Sequence, residues 1–250
     1  MTRGTPPMPP PWAEGYGYDA FGPLAEIYVG DVCQRFRWAP PGQFMMGSPN
    51  DEEGRWGSEV QHPVELTAGF WLADTPVTQA LWAAVMDGNP ARFKGPDRPV
   101  EQVSWDDAQA FIARLNTQQP GLALSLPTEA QWEHACRAGT DGPRYGDLDA
   151  VAWWEGNSGG QTQPVGQKQP NPWGLYDMLG NVWEWCQDDK RNYDKTTQTN
   201  PMGSLDAGSY HVIRGGSWNG LARYMRAAYR RAIPSGRDDH YGFRCARVRS

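Results

Sequence analysis

Carboxylate and amide side chains recur at close spacing in GLYDMLGNVWEW, residues 174–185. Asp177, Asn181 and Glu184 alternate there with apolar residues on a glycine-containing segment. Carboxylate and amide oxygens are the ligands that a hard cation such as calcium prefers in proteins. The segment therefore predicts a calcium site. The alternative is that Asp177 and Glu184 cap turns and pair with arginines.

A second segment, NGLARYMRAAYRRAIPSGRDDHY at 219–241, combines aromatic and cationic side chains. Tyrosine and arginine are enriched at recognition hot spots because each joins a large contact area to directional donors. The segment thus predicts a binding face that begins at Asn219. The side chains that would form its aromatic and cationic patch are Arg223, Tyr224, Tyr229, Arg231, His240 and Tyr241. The alternative places Tyr224 and Tyr229 in the core and uses the arginines to brace loops.

The cysteines and histidines form no familiar catalytic or metal motif. Cys33, Cys136, Cys186 and Cys245 are spread along the chain without a CxxC pair, and the four histidines form no HxxH or HxxxH pair. A nucleophile elbow, a Walker loop and a GxGxxG turn are also missing from the sequence. A pair of catalytic carboxylates stays open as an alternative, because the sequence does not say which two face each other.

Charge is distributed unevenly along the 250 residues, whose net charge is −6. The part from Arg214 onward holds nine arginines and two aspartates, whereas residues 1–213 hold 14 basic and 27 acidic side chains. The acidic part disfavours a nucleic-acid partner, since it would repel a phosphate backbone. No apolar run approaches the ~20 residues that span a bilayer, and no secretory signal opens the sequence. We expect a cytoplasmic protein that binds no membrane.

Capping signals predict two principal helices, at about 78–86 and 104–116, and a short third helix over 129–139. IYVGDVCQRFRWAPPGQFMMGS predicts a hairpin of two strands that is broken at PPG, residues 40–42. The chain after Gly139 predicts short antiparallel strands on long loops. Residues 1–15 predict a flexible, proline-rich arm, and 16–250 predict a single α+β domain with much irregular structure.

Seven motifs together resemble the formylglycine-generating enzyme family, also called the sulfatase-modifying factor family. In chain order they are PPGQFMMGS (40–48), TPVTQALW (75–82), PVEQVSWDDAQAF (99–111), LPTEAQWEHACRAGT (126–140), PNPWGLYDMLGNVWEW (170–185), RGGSW (214–218) and GFRCAR (242–247). The resemblance implies a C-type-lectin-like fold. It also implies a calcium site with side-chain oxygens from Asp177 and Glu184 and carbonyls from Gly180 and Val182. A second calcium site of the family would use Asn157 and a later Asp, which the following residues lack.

The resemblance also identifies what this sequence lacks. Enzymes of the family that oxidise a cysteine carry two cysteines after RGGS, whose thiolates hold copper(I). Gly220 and Met225 occupy the matching positions, so we expect neither formylglycine formation nor a copper requirement. Another branch of the family binds iron through histidines of an additional helical domain, and we expect no iron here.

Variable proteins of diversity-generating retroelements share this fold, and their randomised positions lie between RGGSW and GFR. Residues there that are compatible with a randomised Asn codon are Gly220, Leu221, Tyr224, Asp238, Asp239, His240 and Tyr241. We therefore expect a non-catalytic ligand-recognition module that binds a protein or other macromolecule through residues 219–241. The alternative is a metal-dependent oxidase or oxygenase of the same family with a non-standard active site.

Overall fold

The computed structural model describes residues 9–204 and 210–248. In the first half of the chain the strands are β1 (Gly15–Asp19), β2 (Gly22–Val29), β3 (Val32–Ala39), β4 (Gly42–Met46), β5 (His62–Leu66) and β6 (Phe70–Ala73). The helices are α1 (Gln79–Val85), α2 (Trp105–Gln118), α3 (Glu129–Arg137) and α4 (Leu148–Val151). The later strands are β7 (Ala152–Trp153), β8 (Leu179–Gly180), β9 (Trp183–Asp189), β10 (Gln198–Thr199), β11 (His211–Arg214), β12 (Arg230–Ile233), β13 (Tyr241–Gly242) and β14 (Ala246–Val248).

The predicted caps define where the helices begin. Thr78 accepts a hydrogen bond from the Leu81 amide at the start of α1. Ser104 opens α2 and Thr128 opens α3, each through a reciprocal capping box with the residue three positions later. These helices are confirmed because a cap is a local interaction that a short stretch of sequence specifies. The short helix α4 was not predicted.

The strands form four sheets, mostly antiparallel. The first sheet has the order β1-β2-β3-β6-β14, and the second has the order β10-β5-β4. The third, β12-β11-β9-β13, carries the C-terminal segment, and β7 pairs with β8 in a small fourth sheet. The β10–β5, β13–β9 and β7–β8 pairings are parallel. The expected α+β domain with a C-type-lectin-like core is confirmed.

The hairpin predicted at PPG is wrong. The chain reverses earlier, at Gly30, which has a φ of 60°, so that β2 pairs with β3. After the prolines the chain enters a different sheet, in which β4 pairs with β5. Proline has no amide donor for a strand ladder, and the double proline separates two sheets instead of joining two paired strands.

Part of the proline-rich segment packs on the domain. Residues 1–8 of the predicted arm lie outside the described residues. Trp12, however, makes edge contacts with Phe36 and Trp71, with ring centroids 5.6 and 5.8 Å away, and the amide of Glu14 donates to the Glu26 carbonyl. Ordered contacts therefore begin before residue 16, because a large aromatic side chain in this segment covers core surface.

Helix α3 is buried on all sides although it carries several charged residues. A buried carboxylate is costly unless a cation and hydrogen-bond donors surround it. Glu133 pairs with Arg137 and Arg214, and Glu129 pairs with Arg230. Because two of these arginines flank residues 215–229, the helix fixes the position of the predicted binding segment.

Candidate functional site

The arginine of RGGSW acts as an anchor for the segment that follows it. Arg214 is fully buried, pairs with Glu133 and donates to the carbonyls of residues 227–229 at 2.7–3.0 Å. Burial lowers the pKa of Arg214, but Glu133 and Glu129 raise it by more, so the guanidinium stays charged. One side chain thus holds three consecutive backbone carbonyls beneath the predicted face.

Two further buried arginines pin the same segment. Arg230 donates to both oxygens of Glu129, at 2.7 and 2.6 Å. Arg226 donates to both oxygens of Glu59, at 2.8 and 2.9 Å, and also pairs with Glu52. With Arg244, four of the eight arginines that the structure describes from Arg214 onward are buried. Much of the basic composition of this part therefore serves structure.

An aromatic cluster rests on this scaffold. Tyr224 stacks on Tyr229 with ring centroids 4.8 Å apart, and Tyr229 contacts Trp183 at 5.7 Å. The guanidinium of Arg231 lies 5.8 Å from the Trp183 ring centroid. Burial raises the pKa of both Tyr229 and Tyr241, and the charge of Arg231 opposes that rise at each. Arg231 therefore lies within electrostatic reach of both tyrosines.

The exposure of these residues separates a floor from a surface. Tyr229 is only 4% exposed and Trp183 only 3%, so both form the floor. Tyr224 is half-buried above it, Tyr241 is half-buried against the buried Trp185 ring at 5.5 Å, and Arg231 is exposed. We call Trp183, Tyr224, Tyr229, Arg231 and Tyr241 the aromatic face. Of the predicted ligand-binding residues, Tyr229 thus supports the face and does not present its own side chain.

The loop before β13 lies at one side of the aromatic face. His240 contacts the Tyr241 ring at 4.4 Å, and its Nδ1 lies 3.2 Å from a carboxylate oxygen of Asp238 and 3.2 Å from one of Asp239. Arg92, which the sequence analysis did not identify, pairs with the other oxygen of Asp239. The structure therefore brings Asp238, Asp239 and His240 together.

The remaining predicted residues lie near the start of the segment. Asn219, Leu221 and Arg223 are exposed. Arg223 donates to the Tyr224 hydroxyl at 3.0 Å and lies over its ring, which joins it to the aromatic face. Gly220 is buried, and no side chain is presented there.

One aromatic contributor comes from a distant part of the chain. Trp56 is 54% exposed, and its ring meets Tyr229 edge-on at 6.2 Å. Its loop is held by Arg226, which donates to the Gly54 carbonyl as well as pairing with Glu52 and Glu59. No motif links residue 56 to residues 219–241, so the sequence alone does not indicate Trp56.

The positions that match the two catalytic cysteines are closed. Met225 is fully buried, and its terminal methyl lies 2.6 Å from where a Cβ on Gly220 would stand. The native thiols are also poor replacements. Burial raises the pKa of Cys136 and of Cys245 to about 12, so both stay protonated near neutral pH.

The predicted calcium loop is buried, and its two carboxylates differ. Arg244 donates to both oxygens of Glu184 at 2.7 Å, and the Trp132 indole N–H donates to one of them at 2.7 Å. Asp177 accepts from the Gly166 amide at 2.7 Å, and none of the ion pairs between described residues includes it. Burial raises the pKa of Asp177 to about 6. Glu184 is thus neutralised by Arg244, whereas the Asp177 carboxylate is held by the Gly166 amide and the Asn181 side chain.

The other predicted calcium ligands are fixed by packing. Gly180 has a φ of 80°, and a Cβ there would lie 2.2 Å from the Trp153 carbonyl oxygen, so only glycine fits. Val182 is fully buried. Asn157 is engaged in its own turn, where its oxygen accepts from the Trp154 amide and its nitrogen donates to Asp149.

The described helices include none that is long and apolar enough to cross a bilayer.

Comparison with known proteins connects the fold to a family. Residues 31–249 match the sulfatase-modifying factor enzyme 1-like domain. The formylglycine-generating enzyme of Thermomonospora curvata is 33% identical over 218 residues, which cover 76% of this chain and 68% of that protein.

Two solved structures share the fold. Treponema denticola variable protein 1 is 31% identical, with a TM-score of 0.81, over 90% of this chain and 99% of that one. PvdO from Pseudomonas aeruginosa is 28% identical, with a TM-score of 0.76, over 90% of this chain and 98% of that one. Together with the domain match, these similarities establish that the chain belongs to the formylglycine-generating enzyme family, also called the sulfatase-modifying factor family.

Proposed function

We propose that this chain is a non-catalytic recognition module that binds a protein or other macromolecule through the aromatic face and its borders. The observation that carries the proposal is the layered arrangement of that face. Exposed Arg231 and half-buried Tyr224 lie over the buried rings of Trp183 and Tyr229, and half-buried Tyr241 packs on the buried ring of Trp185. Large aromatic and arginine side chains on a fixed floor are typical of binding hot spots.

Preorganisation supports the proposal. Binding costs free energy when side chains and loops must be ordered, and a surface that is already rigid avoids part of that cost. Here Arg214, Arg226 and Arg230 tie the segment to buried glutamates from elsewhere in the fold. Side chains on the outer layer can therefore vary while the scaffold below them stays the same.

The similarity to a variable protein of Treponema denticola supports the same function. Variable proteins of diversity-generating retroelements change side chains between RGGSW and GFR, which is the segment that carries most of the aromatic face here. The two half-buried members of the face, Tyr224 and Tyr241, lie at positions compatible with such variation. Whether this chain is diversified can be read from a template repeat in the neighbouring DNA.

The electrostatics of the face favour a protein over a nucleic acid. Arg223 and Arg231 are exposed, but the loop before Tyr241 carries Asp238 and Asp239. Residues 1–213 carry an excess of 13 acidic side chains. A phosphate backbone would meet mixed charge here, whereas an acidic or polar protein surface would meet two arginines and the tyrosine hydroxyls.

An oxidase is the second candidate, because formylglycine-generating enzymes are among the relatives. The packing of Met225 against Gly220 opposes it, since neither residue supplies a thiolate and the space between them is filled. Incubation with a cysteine-containing sulfatase peptide, copper and oxygen tests this candidate directly. We expect no conversion above a protein-free control. Conversion that follows the protein concentration would restore the oxidase.

We also propose that calcium stabilises the 177–184 loop. The support is the buried Asp177 carboxylate, which takes part in no ion pair between described residues and lies within electrostatic reach of Glu184. Calcium would hold the loop that leads into β9, and β9 carries Trp183 of the aromatic face.

Affinity capture with matched variants tests recognition. The test variant carries Tyr224→Ala and Arg231→Glu, which change outer residues and leave the floor intact. The control carries the same two types of change, Tyr18→Ala and Arg114→Glu, at exposed positions on β1 and α2. Partners that the wild type and the control capture, and the test variant loses, would support the proposal. Identical partner sets for all three proteins would refute it.

A further inference from the structure

Three potential metal ligands converge beside the aromatic face. Among the described residues, Asp238, Asp239 and His240 form a group whose ligand atoms all lie within 4.8 Å of one another. The Nδ1 atom of His240 lies 3.2 Å from an oxygen of each aspartate. Zinc–ligand bonds of about 2.1 Å place neighbouring ligands about 3.0–3.4 Å apart, depending on geometry. The two distances from His240 therefore match those between ligands of one zinc ion, and the two aspartate oxygens lie within 4.8 Å of each other.

We infer that Asp238, Asp239 and His240 bind one transition-metal ion, of which zinc is the best match. An imidazole nitrogen with two carboxylates suits zinc or nickel better than calcium, which prefers oxygen alone. Three protein ligands would leave an open coordination position. The inference is independent of the proposed function, because a metal can bind there whether or not a macromolecule binds the face.

The loop that presents these side chains is held in place at all three residues. The Gln102 amide donates to the Asp238 carbonyl at 2.9 Å, and the Trp218 indole donates to the Asp239 carbonyl at 2.9 Å. The Trp183 amide donates to the His240 carbonyl at 2.8 Å. A metal would therefore meet ligands whose backbone is already ordered, which lowers the cost of binding.

The charges around the group favour a cation. A third carboxylate, Glu101, is fully buried, and its Oε2 has no hydrogen-bond partner among the described residues. Burial raises the pKa of Glu101 to about 7, and the charge of Asp239 adds to that rise, so the two carboxylates lie within electrostatic reach. Arg92 pairs with Asp239 but is 63% exposed, and solvent screens much of its charge. Asp238 and Asp239, with Glu101 ionised in part, thus leave negative charge that a bound cation would neutralise.

The accessibility of the group differs between its members. The side chain of Asp238 is 48% exposed, whereas those of His240 and Asp239 are 17% and 12% exposed. An ion can enter from the side of Asp238, and two of its ligands are shielded from solvent. Such shielding strengthens the attraction between a cation and carboxylates relative to fully exposed residues.

Calorimetric titration of the full chain with zinc chloride tests the inference. All proteins should carry Cys33→Ser, because Cys33 is an exposed thiol that could bind zinc by itself, and calcium should be present throughout. We expect one equivalent of zinc to bind. Asp238→Asn and His240→Gln should each weaken binding at least about tenfold, as losses around a metal site commonly do. Asp106→Asn, an exposed carboxylate on α2, serves as the control.

Two results would overturn the site. One is the absence of zinc binding to the Cys33→Ser protein, and the other is retention of its affinity by either site variant. X-ray absorption at the zinc edge of the Cys33→Ser protein gives an answer that does not depend on how the variants fold. We expect a first shell of nitrogen and oxygen with one imidazole, and a sulfur neighbour would contradict the assignment.

Discussion

Met225 occupies the space that a side chain at position 220 would need. Its terminal methyl lies 2.6 Å from the Cβ position of residue 220, and the Ser217 carbonyl oxygen lies 3.1 Å from the same point. The two residues match the thiol positions of the cysteine-oxidising relatives. The replacement of both is therefore a packed arrangement in which glycine at 220 makes room for methionine at 225.

This packing predicts coupling between the two positions. Gly220→Cys alone should lower the free energy of unfolding by about 1–3 kcal/mol, since it forces a buried methionine to move. Adding Met225→Cys should relieve the overlap, so the double variant should be about 1 kcal/mol more stable than the sum of the single effects. Urea denaturation of all four proteins measures the cycle. Additive effects would show that the two side chains do not compete for space.

Local capping signals were enough to predict the helices. The pairing of the strands depends on contacts between distant parts of the chain, which the sequence alone does not show. Thr78, Ser104 and Thr128 each accept a hydrogen bond within their own helix, so a few residues suffice to identify them. Besides β2, strand β3 pairs with β6, at residues 31–37 positions later, and the proline motif after β3 carried no information about that second partner.

The same distinction applies to the site. The composition of 219–241 indicated an aromatic and cationic surface, and the structure brings Tyr224, Tyr229, Arg231 and Tyr241 together. The burial of Tyr229 depends on Trp183 and Trp56, which are 46 and 173 positions away. Only the folded chain shows that Trp56 borders the aromatic face, because Arg226 holds the loop of Trp56 through the buried Glu59.

Arg214 should be among the most sensitive positions in the chain. Arg214→Met leaves Glu133 without one of its cations and three carbonyls without their donor. Removing one partner of a buried ion pair typically costs 3–5 kcal/mol, and we expect a loss of about that size here. The control is Arg231→Met, which changes an exposed arginine and should alter unfolding by less than about 0.5 kcal/mol. Equal losses in denaturant titrations would contradict the structural role of Arg214.

Calcium should raise the melting temperature, and Asp177 should carry much of that effect. A ligand that binds the native state alone stabilises it in proportion to the logarithm of its concentration. We expect chelation to lower the melting temperature of the wild type. Asp177→Ala should remove most of the difference between calcium and chelator, because it deletes the carboxylate that has no ion pair with a described residue. The same calcium shift in wild type and variant would exclude Asp177 as a ligand.

Asp74 should make stability decrease as pH rises. Asp74 is half-buried, its carboxylate accepts a hydrogen bond from the Gln34 side-chain amide at 3.3 Å, and desolvation raises its pKa to about 6. Between about pH 4 and pH 6 the unfolded chain has lost this proton while the folded chain retains it, so raising the pH favours unfolding. Relative to high pH, the protonated carboxyl of Asp74 adds up to about 3 kcal/mol to the free energy of unfolding, since each pKa unit corresponds to about 1.4 kcal/mol. This addition is fully present below about pH 4. Asp74→Asn should therefore gain stability relative to wild type from about pH 4 to about pH 7. Denaturant titrations across that range measure the gain, with Asp87→Asn, an exposed carboxylate, as the control. If the difference in free energy of unfolding between wild type and Asp74→Asn stays constant with pH, the Asp74 carboxyl keeps its ordinary pKa.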